Sequence, residues 1–189
     1  MTMIAGTGGF DDGYATRITY DDAAARGTAN NRDEPLNALG APDGDFFEIG
    51  LGSSIELTFG TLFDTSLTVF EITFGNVLNW PEQVLLEVGL NGNFVQIGGP
   101  ISNVVAQSGV TVGLGTGTFD TVRLIDDTPT LLSILNVNPP STGGFDIDAV
   151  KVSPAGLSNV AAVPLPATGL LLLAALGAGA LVGRRKTKS

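Results

Sequence analysis

Short runs of alternating apolar and polar residues, each closed by Gly, Asn, Asp or Pro, restrict most severely how this chain can fold. Ser54–Phe59 sets Ile55, Leu57 and Phe59 on one face and Ser54, Glu56 and Thr58 on the other, the period of a half-buried strand. Leu67–Phe74 is more continuously apolar, as expected of a central strand covered on both faces. Val84–Leu90 and Phe94–Ile97 flank Asn91-Gly92-Asn93. An Asn-Gly pair between apolar runs predicts a hairpin, because both turn residues must take positive φ. Val110–Val112, Phe119–Ile125 and Phe145–Val152 complete the set, with long loops at Asn76–Gln83 and Asp126–Gly144. Ahead of these, Tyr14–Tyr20 admits a short strand, and Asp21–Leu39 reads as loop with one helical turn at Asp22–Arg26. Seven or more short strands without helices between them predict an all-β fold, a jelly-roll β-sandwich. A parallel βαβ sheet fails for want of crossover helices.

Charge divides the chain sharply. All 19 acidic residues precede Val152, with five basic ones (Arg17, Arg26, Arg32, Arg123, Lys151), so the body carries about −14. Phosphate backbones would be repelled, and nucleic-acid binding is not expected. Such a body suits a surface protein, or one that binds divalent cations. The chain has neither Cys nor His, which excludes disulfides, thiolate or His-ligated zinc, and Ser-His-Asp or Cys-His catalysis.

The carboxyl-terminal end has the opposite character. No ionisable side chain occurs from Val152 to Gly183, and Arg184, Arg185, Lys186 and Lys188 then follow at once. An uninterrupted apolar run has no face to offer water, and a basic cluster behind it marks a segment whose carboxyl end stays cytoplasmic. Gly169–Gly183 alone is short for a bilayer, but the neutral stretch counted from Ala161 is long enough. A transmembrane helix is therefore predicted there. The opening MTMIAGTGGFDDGY has no basic n-region and no apolar h-region, so it is not a signal peptide. A leader is expected ahead of it.

Val163-Pro164-Leu165-Pro166-Ala167, an apolar helix and then Arg184-Arg185-Lys186 resemble the C-terminal sorting signal of PEP-CTERM proteins in its VPLPA variant. That resemblance implies recognition by an exosortase in a Gram-negative bacterium, transient membrane anchoring, cleavage near the Pro motif and delivery to the cell surface or an exopolysaccharide matrix. Leu165-Pro166-Ala167-Thr168-Gly169 also matches the LPxTG motif of sortase substrates, a competing parse. Val163-Pro164 and the short Ala/Gly/Leu-rich run favour the exosortase.

In the body, paired carboxylates stand at Asp43-Gly44-Asp45, at Asp126-Asp127 and at Asp146/Asp148, the last two on one face of a strand by period two. Calcium takes six to eight oxygen ligands, commonly from such loops. Asp and Gly equally serve as ordinary turn formers. Asp43, Asp45, Asp146 and Asp148 are the candidate calcium ligands. Trp80, in Asn79-Trp80-Pro81, is the chain's one Trp and the candidate for stacking on a sugar ring. Glycosidases need two carboxylates about 5–10 Å apart, and no spacing among Glu48, Glu56, Glu71, Glu82 and Glu87 picks out such a pair. Catalysis is not expected.

Ala38–Gly44, Ser53–Phe59, Val69–Glu71, the Val84–Ile97 hairpin and Phe145–Val152 together resemble the galactose-binding-domain-like jelly rolls. The resemblance implies an Ala-Pro-Asp-Gly segment opening the sandwich, a closing strand (Ile147–Val150) that contributes a structural calcium ligand, and carbohydrate binding. The expected organisation is a loop-rich segment (1–34), a β-sandwich (35–152), a linker (153–162) and the sorting signal (163–189).

Overall fold

A computed structural model describes residues 1–6, 12–21, 32–73, 77, 81–128 and 143–156. The chain divides into two compact units, Met1–Ser158 and Asn159–Ser189. The helical turn at Asp22–Arg26, Trp80 and the whole sorting signal from Val163 through Lys188 lie outside the described residues. Among the described residues no helix is long and apolar enough to cross a membrane.

Among the described residues ten strands build the first unit: β1 (Thr2–Ala5), β2 (Arg17–Tyr20), β3 (Phe47–Gly50), β4 (Ser54–Glu71), β5 (Gln83–Leu90), β6 (Asn93–Gln96), β7 (Ile101–Ser102), β8 (Val110–Gly113), β9 (Phe119–Asp126) and β10 (Gly143–Pro154). Short helical turns lie at Pro35–Ala38 (3-10) and Asn103–Ala106 (α). The fold is thus all-β, as expected.

β4 organises the layers. Its first half pairs with β2 and β9 (Leu57 opposite Ile18 and Val122), in a layer ordered β1-β2-β4-β9-β5-β6. Its second half pairs with β10 and β8 (Val69 opposite Val150 and Val110), and β3 joins on the far side of β10. Every ladder is antiparallel. Two separate strands were expected here, over Ser54–Phe59 and Leu67–Phe74; the structure has one 18-residue strand instead. The reason is parity. Ile55, Leu57, Phe59, Phe63, Leu67, Val69 and Glu71 are all buried and all odd-numbered, so the strand crosses between layers without turning its core face outward. Gly60, at φ 69° and exposed, sits where the pairing with β9 slips between Thr58 and Phe63, and such a bend is how a strand changes sheets. Phe63 plugs the corner, 5.3 Å from the Phe59 ring and 5.9 Å from that of Phe119. Phe70 is only half-buried, so the second half of β4 is not covered on both faces as its apolar run suggested.

The hairpin forms as the sequence requires: Asn91 and Gly92 take φ 52° and 80°, and Leu90 pairs with Asn93 across the turn. β1 and β2, both ahead of residue 35, hydrogen-bond into the first layer. The core between the layers is formed by Ile18, Leu57, Val88, Val122, Phe145 and Ile147, with their neighbours on each strand.

Candidate functional site

Because β4 runs out in one layer and back in the other, its two ends lie at the same end of the sandwich. There β9 finishes, β5 and β10 begin, and an unusual set of acids is buried: Glu48 on β3, Glu71 closing β4, Glu82 just before β5, and Asp126, Asp146 and Asp148.

These acids do three different jobs. Asp126 is a clamp. It accepts hydrogen bonds from Gly52 N–H (2.9 Å), Phe145 N–H (3.1 Å) and the Thr128 hydroxyl (2.6 Å), tying the turn before β4 to the start of β10. A β-carbon on Gly144 would lie 2.4 Å from its Oδ1 and 2.3 Å from Ile49 O, so only glycine fits between them.

Asp43, Asp45 and Asp148 form the second group. Asp148 Oδ1 accepts the Asp43 N–H at 3.1 Å, and Asp43 Oδ1 accepts the Asp45 N–H at 3.0 Å. Burial raises the Asp148 carboxyl above its usual range and the nearby Asp43 and Asp45 charges push the same way, against the N–H groups of Asp43 and Gly44.

Asp146 belongs to the third group, apart from Asp148. Period two predicts both on one face, but the register with β4 slips between Ile147 and Ala149, and a bulge there gives the two carboxylates different neighbours. Asp146 lies opposite Glu48 in the β3 ladder, and Arg32 bridges them, 2.9 Å from Glu48 Oε2 and 3.9 Å from Asp146 Oδ2. Glu71 accepts the Thr73 hydroxyl, which in turn accepts Asn103 Nδ2 at 3.0 Å. Glu71, Glu82 and Asp146 are only 0%, 6% and 3% exposed, and each has one oxygen without a hydrogen-bond partner among the described residues: Oε2, Oε2 and Oδ1. Desolvation therefore lifts all three, Glu71 to about 7, Glu82 to about 9 and Asp146 to about 8. Glu82 is raised further by Asp146 and then Glu71, Glu48 and Asp126, while Arg32 offsets part of the rise at Asp146. Carboxyls so enclosed do not face a substrate. Burial thus favours the neutral, protonated form of Glu82 and Asp146 over a concentrated negative charge.

Asp43, Asp45 and Asp148 are neighbours, but among the described residues no three acidic side chains converge closely enough to hold a metal ion. Sequence patterning alone passed over Glu71, although Leu67, Val69 and Glu71 occupy successive core-facing positions. An acid in a core parity is the signal that marks it.

No family model matches the sequence, and no curated protein does. Solved structures do match in fold. CpGH89CBM32-5 from Clostridium perfringens, in complex with GalNAc-beta-1,3-galactose, aligns over 72% of this chain and 93% of its own with a TM-score of 0.52 and 14% identity. The family 32 carbohydrate-binding module of C. perfringens NanJ, in complex with galactose, aligns over 71% of this chain and 92% of its own with a TM-score of 0.50 and 12% identity. The described body therefore has the jelly-roll β-sandwich fold of the family 32 carbohydrate-binding modules.

Proposed function

We propose that this protein is an exported, non-catalytic carbohydrate-binding module that a C-terminal signal delivers to the surface or exopolysaccharide matrix of a Gram-negative cell. The observation that carries the binding role is the fold: the body matches over nine-tenths of two modules that were solved with galactose-containing sugars. Trp80, on the chain between β4 and β5, is the aromatic assigned to sugar stacking, since a single indole face suits the apolar side of a pyranose. Asp43, Asp45 and Asp148, joined by hydrogen bonds, are where this reading places calcium, and since no three acidic side chains converge among the described residues, binding there requires the Asp43-Gly44-Asp45 turn to close on Asp148. Calcium there would fix the Asp43-Gly44-Asp45 turn against β10, a structural task.

The tail completes the proposal. Val163–Ala167 is the exosortase recognition motif, the apolar run that follows holds the protein in the membrane, and Arg184, Arg185, Lys186 and Lys188 stop transfer. Cleavage removes four of the nine basic residues and leaves a markedly acidic product. A glycan array probed with the full chain, with and without EGTA, tests the binding role; no signal in either condition rejects it. Mass spectrometry of the mature C-terminus tests the sorting role. An exported product ending at Ser189 rejects processing, and one ending at Thr168 replaces the exosortase with a sortase.

A further inference from the structure

On the reading that the body binds carbohydrate, we infer that the cleft at the bend of β4 is a second glycan subsite, which takes adjacent hydroxyls of a neutral polysaccharide with Arg17 as its anchor. This cleft lies at the opposite end of the first layer from the buried acids, on the outer face. It is an open groove of about 560 Å³, lined by Arg17, Thr58, Thr61, Leu62, Asp120 and Thr121.

Register places the polar groups in a row. Arg17 lies opposite Thr58, and Thr58 opposite Thr121, so three outward side chains on adjacent strands repeat at about 4.8 Å. Arg17 is the exception among the described arginines. Arg32 is paired with Glu48, and Arg123 with Glu56 at 2.7 Å and Glu87 at 3.0 Å. Arg17 is exposed and makes no ion pair among the described residues. The nearby carboxylate, Asp120, is held in place by the Asn91 N–H (3.1 Å) and the Thr121 hydroxyl (2.8 Å). It keeps lone pairs able to accept from a ligand.

The chemistry of the cleft selects its occupant. A planar guanidinium can donate to two neighbouring oxygens at once. The Thr61 and Thr121 hydroxyls, whose protons go to Leu62 O and Asp120, keep lone pairs that accept from sugar hydroxyls. Leu62, 48% exposed, offers an apolar surface to the carbon face of a sugar ring. One Arg and one Asp leave the cleft nearly neutral, while the acidic body repels polyanions. A hydroxyl-rich neutral chain fits this combination, and a uronate or phosphate polymer does not.

Native electrophoresis of the full chain through gels with and without a soluble neutral galactan tests the inference. Wild type, Arg17→Ala, Arg17→Lys and Trp80→Ala are compared, each against its own migration in the polymer-free gel. Retardation of wild type is expected. Arg17→Ala should weaken binding about tenfold, the worth of one charge-assisted hydrogen bond. Arg17→Lys should fall between, because an ammonium cannot span two hydroxyls. Trp80→Ala should weaken binding independently, so that the double variant is weaker than either single one. If Arg17→Ala is retarded like wild type while Trp80→Ala is not, the galactan reading survives and the second subsite is rejected. If Arg17 proves to matter for a uronate polymer and not for the galactan, the neutral-ligand assignment is wrong. A wild-type chain retarded by neither polymer rejects both the subsite and the carbohydrate reading beneath it.

Discussion

The backbone N–H of Asp43 donates to Asp148 Oδ1 at 3.1 Å, joining two residues 105 positions apart in sequence. That bond ties the turn ahead of β3 to the last strand, and it is where calcium would act. Millimolar calcium should raise the melting temperature of wild type and EGTA should lower it. Asp148→Asn should abolish the difference, whereas Asp146→Asn should preserve it. Differential scanning calorimetry decides the matter, and an equal response in both variants removes Asp148 from the calcium role.

The buried acids predict stability that declines with pH. Glu71, Glu82 and Asp146 hold protons more tightly in the folded chain than in the unfolded one, where they titrate near 4. Their contribution is therefore complete below about pH 4 and is lost as pH rises through the folded values of about 7 to 9. For Glu71 alone the loss is on the order of 3 kcal/mol. Melting temperature should fall steadily from mildly acid to mildly alkaline pH, and Glu71→Gln, which keeps an acceptor for Thr73, should flatten the slope. A curve that is level over that range contradicts the assignment.

Gly144→Ala should destabilise the fold by about 1–3 kcal/mol or more, because its β-carbon would overlap Ile49 O and Asp126 Oδ1. Asp126→Ala strands two backbone N–H groups and a hydroxyl, with a cost of similar size. Urea unfolding of each single variant and of the pair should show strong non-additivity, since both disturb one clamp.

Phe63→Ala removes the fully buried ring at the β4 corner and should cost about 3–5 kcal/mol. Leu62→Ala, next to it but exposed, should change stability little. Comparable losses in the two variants would show that the corner is not part of the core.

How much of this was legible in the sequence depended on whether local chemistry or tertiary context set the structure. The hairpin was legible, because Asn91-Gly92 can serve few conformations other than a tight turn. β9 and β10 were legible within one or two residues from their apolar runs. The continuity of β4 was not: Gly60-Thr61-Leu62 reads as a break, and only the preserved odd-number parity from Ile55 to Glu71 betrays one strand. β1 and β3 were missed for opposite reasons. β1 is a four-residue edge that alternates only half-burial with exposure, and all four residues of β3 are buried, which removes the alternation that identifies a strand. Among the candidate ligands, Asp43, Asp45 and Asp148 were brought together, but a bulge invisible to period-two reasoning separated Asp146 from them. The cleft at Arg17 had no local signature, because its lining comes from β2, β4 and β9 and is joined only by their register.

Whether the sandwich binds carbohydrate is decided by isothermal titration of the full chain with a galactose-containing oligosaccharide in the presence of calcium. Saturable binding is expected, which Trp80→Ala abolishes or greatly weakens while the melting temperature of that variant stays at the wild-type value. The absence of binding to this and to other neutral oligosaccharides, by a chain whose cooperative melting shows it to be folded, would contradict it.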